Sequence, residues 1–435
     1  ELTIEICHEH GVEVDLDGFN KLMKAQKERA RQARGELQSM NRQSVDLMNC
    51  TLASSFNYGF EPIQAKVIAL FADGVKVDSI TDEGDVMLDQ TIFYAESGGQ
   101  ISDAGTLESS SVALKVVGVN KAPNKQHLHH VEVMFGEVKV GDVVTAKVNQ
   151  ERRLKIMRNH SSVHLLQKAL EEVLGDHVSQ HGSYVCDEYS RFDFNHFEKM
   201  TAEQLNEVEK KVNKWISQAL PNDTRVLPVE EAKKLGAKAL FNDKYGDVVR
   251  VVCFGDISKE FCGGTHVKNT EDIGVFAIEF EESIAAGIRR IQARTSAGAY
   301  ELMKRREAIL HHIMKEVNVT SMNDIPSRLA STKNELEATK KALVTLEDRF
   351  AQATANNIQN EFDNKGDLSI LVKSMKASKR SDLIALVDRL KQTKDNYIII
   401  LIGQDGETIS VVVACSAKAI KEGYKAGALV REVSK

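Results

Sequence analysis

The segment RNHSSVHLLQKAL, residues 158–170, holds His160 and His164 four positions apart, and EFCGGTHVKNT, residues 260–270, holds Cys262 and His266 at the same spacing. Residues i and i+4 share a helix face, so both imidazoles of HSSVH can reach one ion. Two glycines between Cys262 and His266 let the chain wrap closely between a thiolate and an imidazole. One cysteine and three histidines form a borderline-soft set suited to Zn²⁺. Either pair alone is a common accident, whereas the two together point to one metal site. Four protein ligands leave two possibilities open: a closed knot that ties a helix to a loop, or a catalytic ion from which one ligand yields to water or substrate. A zinc-peptidase reading fails, because Ser161 follows His160 where the HExxH motif needs glutamate.

Further polar residues cluster around these pairs in sequence. Gln180 and His181 lie in HVSQHGSYV, which reads as a strand after the HSSVH helix, and Arg191, Asp193 and Asn195 lie in SRFDFNHF. The run AAGIRRI offers Arg289 and Arg290 for phosphate, and Arg158 closes the basic stretch ERRLKIMR. His181 and His196 read as ordinary partly buried histidines, and Cys186 and Cys253 as packing thiols. The turn Ser97-Gly98-Gly99-Gln100 has two equal readings: backbone brought close to RNA or to the metal region, or a tight strand connection.

The elements that must position these residues form an α+β chain. Residues 1–50 read as a basic helical segment, with seven Lys/Arg against two Glu between Lys21 and Arg42. Residues 51–150 carry short β-branched runs with even Gly/Asp turns, the pattern of a small β-barrel. Residues 151–297 alternate helices with strands and contain the metal pairs, an α+β layer structure. Residues 298–365 are helical, and Met322, Leu329, Leu336, Leu343 and Phe350 recur every seven positions as a coiled-coil seam. An earlier stripe from Leu302 to Val317 allows an antiparallel helix pair, and the heptads serve dimerisation equally well. Residues 366–435 read β-α-β-β, a small and partial α/β domain, with Asp405-Gly406 as a hairpin turn.

Bulk properties set outer limits. A chain of 435 residues exceeds one core and suggests three or four domains. No continuous apolar run is long enough to cross a bilayer, so a membrane role is not expected. Six dispersed cysteines outline no disulfide framework. Net charge is −6, so any attraction to nucleic acid must be local; residues 370–435 carry twelve Lys/Arg against seven Asp/Glu. The chain opens ELTIEICHEH with neither Met nor an apolar leader, and reads as a cytoplasmic piece of something longer.

Taken together, NHSSVHLLQKALEEVLGDHVSQHGSYV, RFDFNH, ALFNDKYGDVVRVV, EFCGGTHVKNTEDIG and AAGIRRIQA resemble the editing domain of alanyl-tRNA synthetases. Free-standing trans-editing proteins and the threonyl-tRNA synthetase editing domain share the HxxxH…CxxxH core. LDQTIFYAESGGQISDAG resembles a stretch of the barrel preceding that core, and the last two segments resemble the family's C-terminal tRNA-binding and dimerising region. The order of segments favours the synthetase. Two departures stand out: residues 1–48 resemble only the helical end of the region before the barrel, without the class II aminoacylation core, and the glycine-rich continuation of the C-terminal domain is missing.

The resemblance implies zinc held by His160, His164, Cys262 and His266, with Gln180 and Cys262 as the residues tied to catalysis. It implies hydrolysis of the ester in alanine tRNA mischarged with serine or glycine, without aminoacylation, whose ATP site belongs to the parent protein. Arg158, Arg289, Arg290, Lys379 and Arg380 are the candidate RNA contacts, and a homodimer through the C-terminal region is an implied assembly. Two alternatives stand beside it: a non-catalytic tRNA-binding module with structural zinc, and a threonyl-type editing hydrolase.

Overall fold

The computed structural model describes residues 45–239, 246–376 and 379–433, together with residues 15, 18–19 and 21–23. Most of the expected basic segment 1–50, including most of the Lys21–Arg42 cluster, and residues 240–245 of ALFNDKYG lie outside the described residues. The chain divides into two compact units, Glu1–Arg306 and Glu307–Lys435.

The first unit opens with a six-stranded antiparallel barrel. Its strands are β1 (Ile63–Ala72), β2 (Glu83–Leu88), β3 (Gly105–Glu108), β4 (Ala113–Lys121), β5 (His127–Phe135) and β6 (Val143–Val148). They pair in the order β6-β3-β4-β5-β2-β1, and β6 pairs again with β1, which closes the barrel. Closure removes the unpaired edge that an open sheet would expose. Alternating positions such as Val144, Ala146 and Val148 of β6 turn inward, joining Val67, Leu88, Leu107 and Leu114 in a dry core.

Helix α1 (Gln150–Leu174) follows β6 directly. Asn149 caps it by accepting from the Arg152 N–H, and Gly175 ends it at φ 115°, a conformation suited to glycine. Its central residues are buried on every side, so its polar groups need internal partners. Asn159 donates to Cys186 O at 2.8 Å and accepts from the Thr295 hydroxyl at 2.7 Å. Arg153, 1% exposed, reaches back to the barrel, where its Nε donates to Asp103 Oδ1 at 2.7 Å.

Helices α1 and α2 (Ala202–Ser217) pack on a four-stranded antiparallel sheet. Its order is β7 (Gln180–Val185), β8 (Ser190–Asn195), β13 (Ile288–Thr295) and β12 (Phe276–Ala285). The period of two explains the side chains of β8: Phe192 and Phe194 are fully buried, while Arg191 and Asp193 face away from that core. A smaller sheet holds β9 (Asn222–Pro228), β10 (Val248–Phe254) and β11 (Ser258–Phe261), and β11 lies against α1. The loop after β11 carries Cys262 and His266.

Helix α3 (Ser296–Glu316) spans the boundary between the units. The second unit contains α4 (Ile325–Ile358), β14 (Leu368–Lys376), α5 (Arg380–Leu390), β15 (Tyr397–Asp405) and β16 (Thr408–Cys415). Strands β14 and β15 are parallel across α5, and the β15–β16 hairpin turns at Gly406, φ 59°. Ala355 and Ile358 at the end of α4 join Leu383, Leu386 and Leu390 of α5 in its core. Met322, Leu329, Leu336, Leu343 and Phe350 are 39–71% exposed, so among the described residues no second helix covers the seam. Of the two arrangements the sequence allows, the antiparallel pair is therefore not formed over this stretch. No described helix is long and apolar enough to cross a membrane.

Candidate metal centre and pocket

His160 and His164 of α1 meet Cys262 and His266 of the loop after β11, and their ligand atoms all lie within 4.8 Å of one another. Cys262 Sγ is 3.5 Å from His160 Nε2 and 3.2 Å from His266 Nε2. Zn–S and Zn–N bonds in a tetrahedron would separate such atoms by about 3.3–3.6 Å. The buried His164 Nε2 has no hydrogen-bond partner, a costly state that a bound ion would relieve.

Each imidazole is held from behind through Nδ1. His160 Nδ1 donates to Gln100 Oε1 at 2.7 Å, and His164 Nδ1 to Glu260 Oε2 at 2.5 Å. His266 Nδ1 lies 3.2 Å from Ser161 Oγ. Protonation at Nδ1 leaves Nε2 of all three rings facing the centre, the arrangement of outer partners that orients metal-binding histidines. The donor set and these partners fit a divalent, borderline-soft ion such as zinc.

Electrostatics point the same way. Burial pushes the Cys262 thiol up, but the adjacent His160 and His266 imidazoles outweigh it and hold the thiol well below its ordinary range, favouring the ligating thiolate. Burial lowers His266 to about 3, outweighing the opposing attraction of Cys262. Burial also opposes charge on His164, yet Glu260 and Cys262 raise it to about 10. Metal binding must displace that proton.

The loop is clamped from outside. Arg250 of β10 donates to Cys262 O at 2.8 Å and Gly264 O at 2.9 Å, its guanidinium lies 4.1 Å from the Tyr58 ring centre, and Tyr58 donates to Gly263 O at 2.8 Å. A Cβ on Gly264 would lie 2.0 Å from His160 Cε1, whereas nothing lies within 4 Å of one on Gly263. The two glycines thus differ: Gly264 permits close approach and Gly263 does not need to.

Beside the cluster is a cavity of about 310 Å³ lined by His160, His164, Cys262, Gln180, Ser183 and Tyr94, among others. Gln180 sits at a bulge in β7 and donates to Ser183 Oγ at 3.1 Å. Five of the sequence candidates therefore converge: the four possible ligands and Gln180. The arginine candidates do not converge with them. Arg289 is 8% exposed and bound to Glu281, Arg290 forms a two-pronged pair with its cross-strand neighbour Asp193 at 2.7 and 2.8 Å, and Arg158 donates to Asp272 O. Asn195 accepts from Ser179 N and donates to His177 O, bracing the start of β7, and His196 lies against His177. Lys379 and Arg380 are exposed at the start of α5 in the second unit.

Sequence reasoning passed over Glu260, Arg250 and Tyr58. Glu260 stands two residues before Cys262, but nothing in its spacing marks it as a partner of His164. The turn 97–100 is a tight connection that also reaches the metal region. Ser97 and Gln100 pair across a tight turn, and Gln100 enters the metal region.

Comparison with known proteins gives first the class. Residues 1–152 match the family model "tRNA synthetases class II (A)", and residues 249–292, which include Cys262 and His266, match "Threonyl and Alanyl tRNA synthetase second additional domain". The chain is 40% identical to alanine–tRNA ligases of Shouchella clausii and Lactobacillus acidophilus, over 100% of this chain and 50% of each relative. The Geobacillus kaustophilus alanine–tRNA ligase is also 40% identical, over 100% of this chain and 49% of its own length. The chain is similar over its whole length to alanine–tRNA ligases, and spans about half the length of the curated relatives it matches.

Proposed function

We propose that this chain hydrolyses the ester bond of alanine tRNA mischarged with serine or glycine, using a zinc centre of His160, His164, Cys262 and His266. The observation that carries the reading is the shared cavity, in which Gln180 and three of the candidate ligands, His160, His164 and Cys262, face one space of about 310 Å³, at the small end of ligand-site volumes. The bound ion would supply Lewis-acid polarisation of the ester or of a water. Gln180, with one face of its amide held by Ser183, orients the reacting group at the mouth of the cluster. Cys262 contributes its thiolate as a ligand, and the Arg250–Tyr58 clamp keeps the loop from drifting.

The chemical need is selectivity. A synthetic site shaped for alanine cannot exclude glycine by size and rejects an added hydroxyl poorly. A second pocket that bonds the serine hydroxyl refuses the alanyl ester, because a buried polar group is then left unpaired. Glycine must be distinguished by another rule. Lys379 and Arg380 remain the better candidates for RNA contact, since Arg289 and Arg290 are occupied within the sheet and Arg158 donates to Asp272 O. The exposed heptad seam of α4 supports a homodimer through the second unit.

The test is deacylation of Ser-tRNA(Ala) and Ala-tRNA(Ala) by the chelator-stripped and zinc-restored chain. Zinc-restored hydrolysis of the seryl ester with the alanyl ester spared is expected. Binding of the tRNA without hydrolysis at full zinc loading would instead leave a docking module.

A further inference from the structure

We propose that Gln100, delivered by the barrel, is a positioning residue of the metal centre: its single amide oxygen fixes the His160 ring and the CGGTH loop together. The proposal rests on the metal-centre reading above and adds a contribution from a different part of the fold. Gln100 is fully buried and sixty residues from His160 in sequence. Its Oε1 accepts from His160 Nδ1 at 2.7 Å and from the Thr265 N–H at 2.9 Å, while its Nε2 donates to Thr265 Oγ1 at 2.9 Å. One side chain therefore selects the His160 tautomer and ties down the residue beside His266.

The barrel is shaped to present it. The turn passes through Gly98 and Gly99 at φ 60° and 81°, in the left-handed region. A Cβ on Gly99 would lie 2.4 Å from Ser183 O, so the turn rests directly on β7. There Val185 N donates to Gly99 O at 2.7 Å and Ile101 N to Val185 O at 3.1 Å. These backbone bonds lock both sides of Gln100. The buried Arg153–Asp103 pair fastens the next residues of the barrel to the helix that carries His160.

The consequence is that the α+β layer bearing all four possible ligands does not hold a properly oriented centre without the barrel. The experiment measures zinc affinity by chelator competition and the Co²⁺ absorption spectrum for the wild-type chain, Gln100→Leu and Gln100→Glu. The melting temperature of each metal-free form is recorded in parallel. Leucine removes the acceptor at similar volume, and glutamate keeps an oxygen for His160 and Thr265. Gln100→Leu should bind zinc about 10–100-fold more weakly, with an altered Co²⁺ spectrum, and Gln100→Glu should recover most of the affinity.

If metal-free Gln100→Leu does not fold, Gln100→Asn, which stays polar but withdraws the oxygen by one methylene, replaces it with the same expectation. Wild-type affinity and spectrum in a folded Gln100→Leu would overturn the proposal and leave the metal centre intact, as would equal weakening by leucine and glutamate. Absence of zinc binding by the wild-type chain would overturn the metal-centre reading itself.

Discussion

Gly264→Ala, compared with Gly263→Ala, isolates the geometry of the loop from its composition. Both variants add one methyl group to the same CGGTH segment, and neither glycine has a positive φ that would itself strain an alanine. The added Cβ at 264 would lie 2.0 Å from His160 Cε1, 2.4 Å from His160 Nδ1 and 2.9 Å from Gln100 Oε1. Ordinary contact begins near 3.4 Å, so loop and ring must separate by about 1.5 Å, more than the 2.7 Å bond from His160 to Gln100 can absorb. Overpacking of this kind costs about 1–3 kcal/mol, and loss of an outer partner weakens metal binding about 10–100-fold. Zinc affinity by chelator competition should fall by that factor in Gly264→Ala and change by less than about threefold in Gly263→Ala, where the methyl enters open space. Equal affinities in the two variants would refute the account of the loop.

Asp103→Ala strands the buried Arg153 and should destabilise the first unit by about 3–5 kcal/mol in denaturant unfolding, whereas joint replacement by Asp103→Leu and Arg153→Met should recover most of the loss. Arg250→Lys gives up one of two carbonyl contacts and the stacking on Tyr58, and should lower the melting temperature of the metal-free chain by an amount equivalent to about 1–3 kcal/mol. Burial lowers His129 in the barrel from 6.5 to about 3, so the unfolded chain takes up a proton near pH 6.5 that the folded chain refuses. Its contribution is present above pH 6.5 and is lost as pH falls toward 3, by about 1.4 kcal/mol per pH unit relative to His129→Gln; parallel pH profiles of the two unfolding energies would contradict this.

The barrel and the HSSVH helix were legible because their signals are periodic. Alternation along stretches such as VVTAKV turns Val144 and Ala146 inward, and a 25-residue helix places His160 above His164. The convergence of HSSVH with CGGTH was legible in residue type, since few other arrangements use that set. Its outer partners were not. Gln100, Glu260 and Arg250 reach the centre through tertiary contacts that follow no period, and a buried glutamine reads in sequence like any turn residue. Arginines mislead in the opposite way: IRRI looks like a phosphate site until the register sets Arg290 against Asp193 and turns Arg289 into the sheet's interior toward Glu281. The seven-residue repeat of α4 predicts a helix correctly but cannot name the partner for its exposed seam.

The claim on which the functional reading rests is that four residues from two distant segments form one zinc centre. X-ray absorption at the zinc edge of the zinc-loaded chain tests it most directly. The account predicts one zinc per chain with a shell of one sulfur at about 2.3 Å and three nitrogens at about 2.0–2.1 Å, losing its sulfur in Cys262→Ala. A zinc shell without sulfur, or one unchanged by Cys262→Ala, would contradict it.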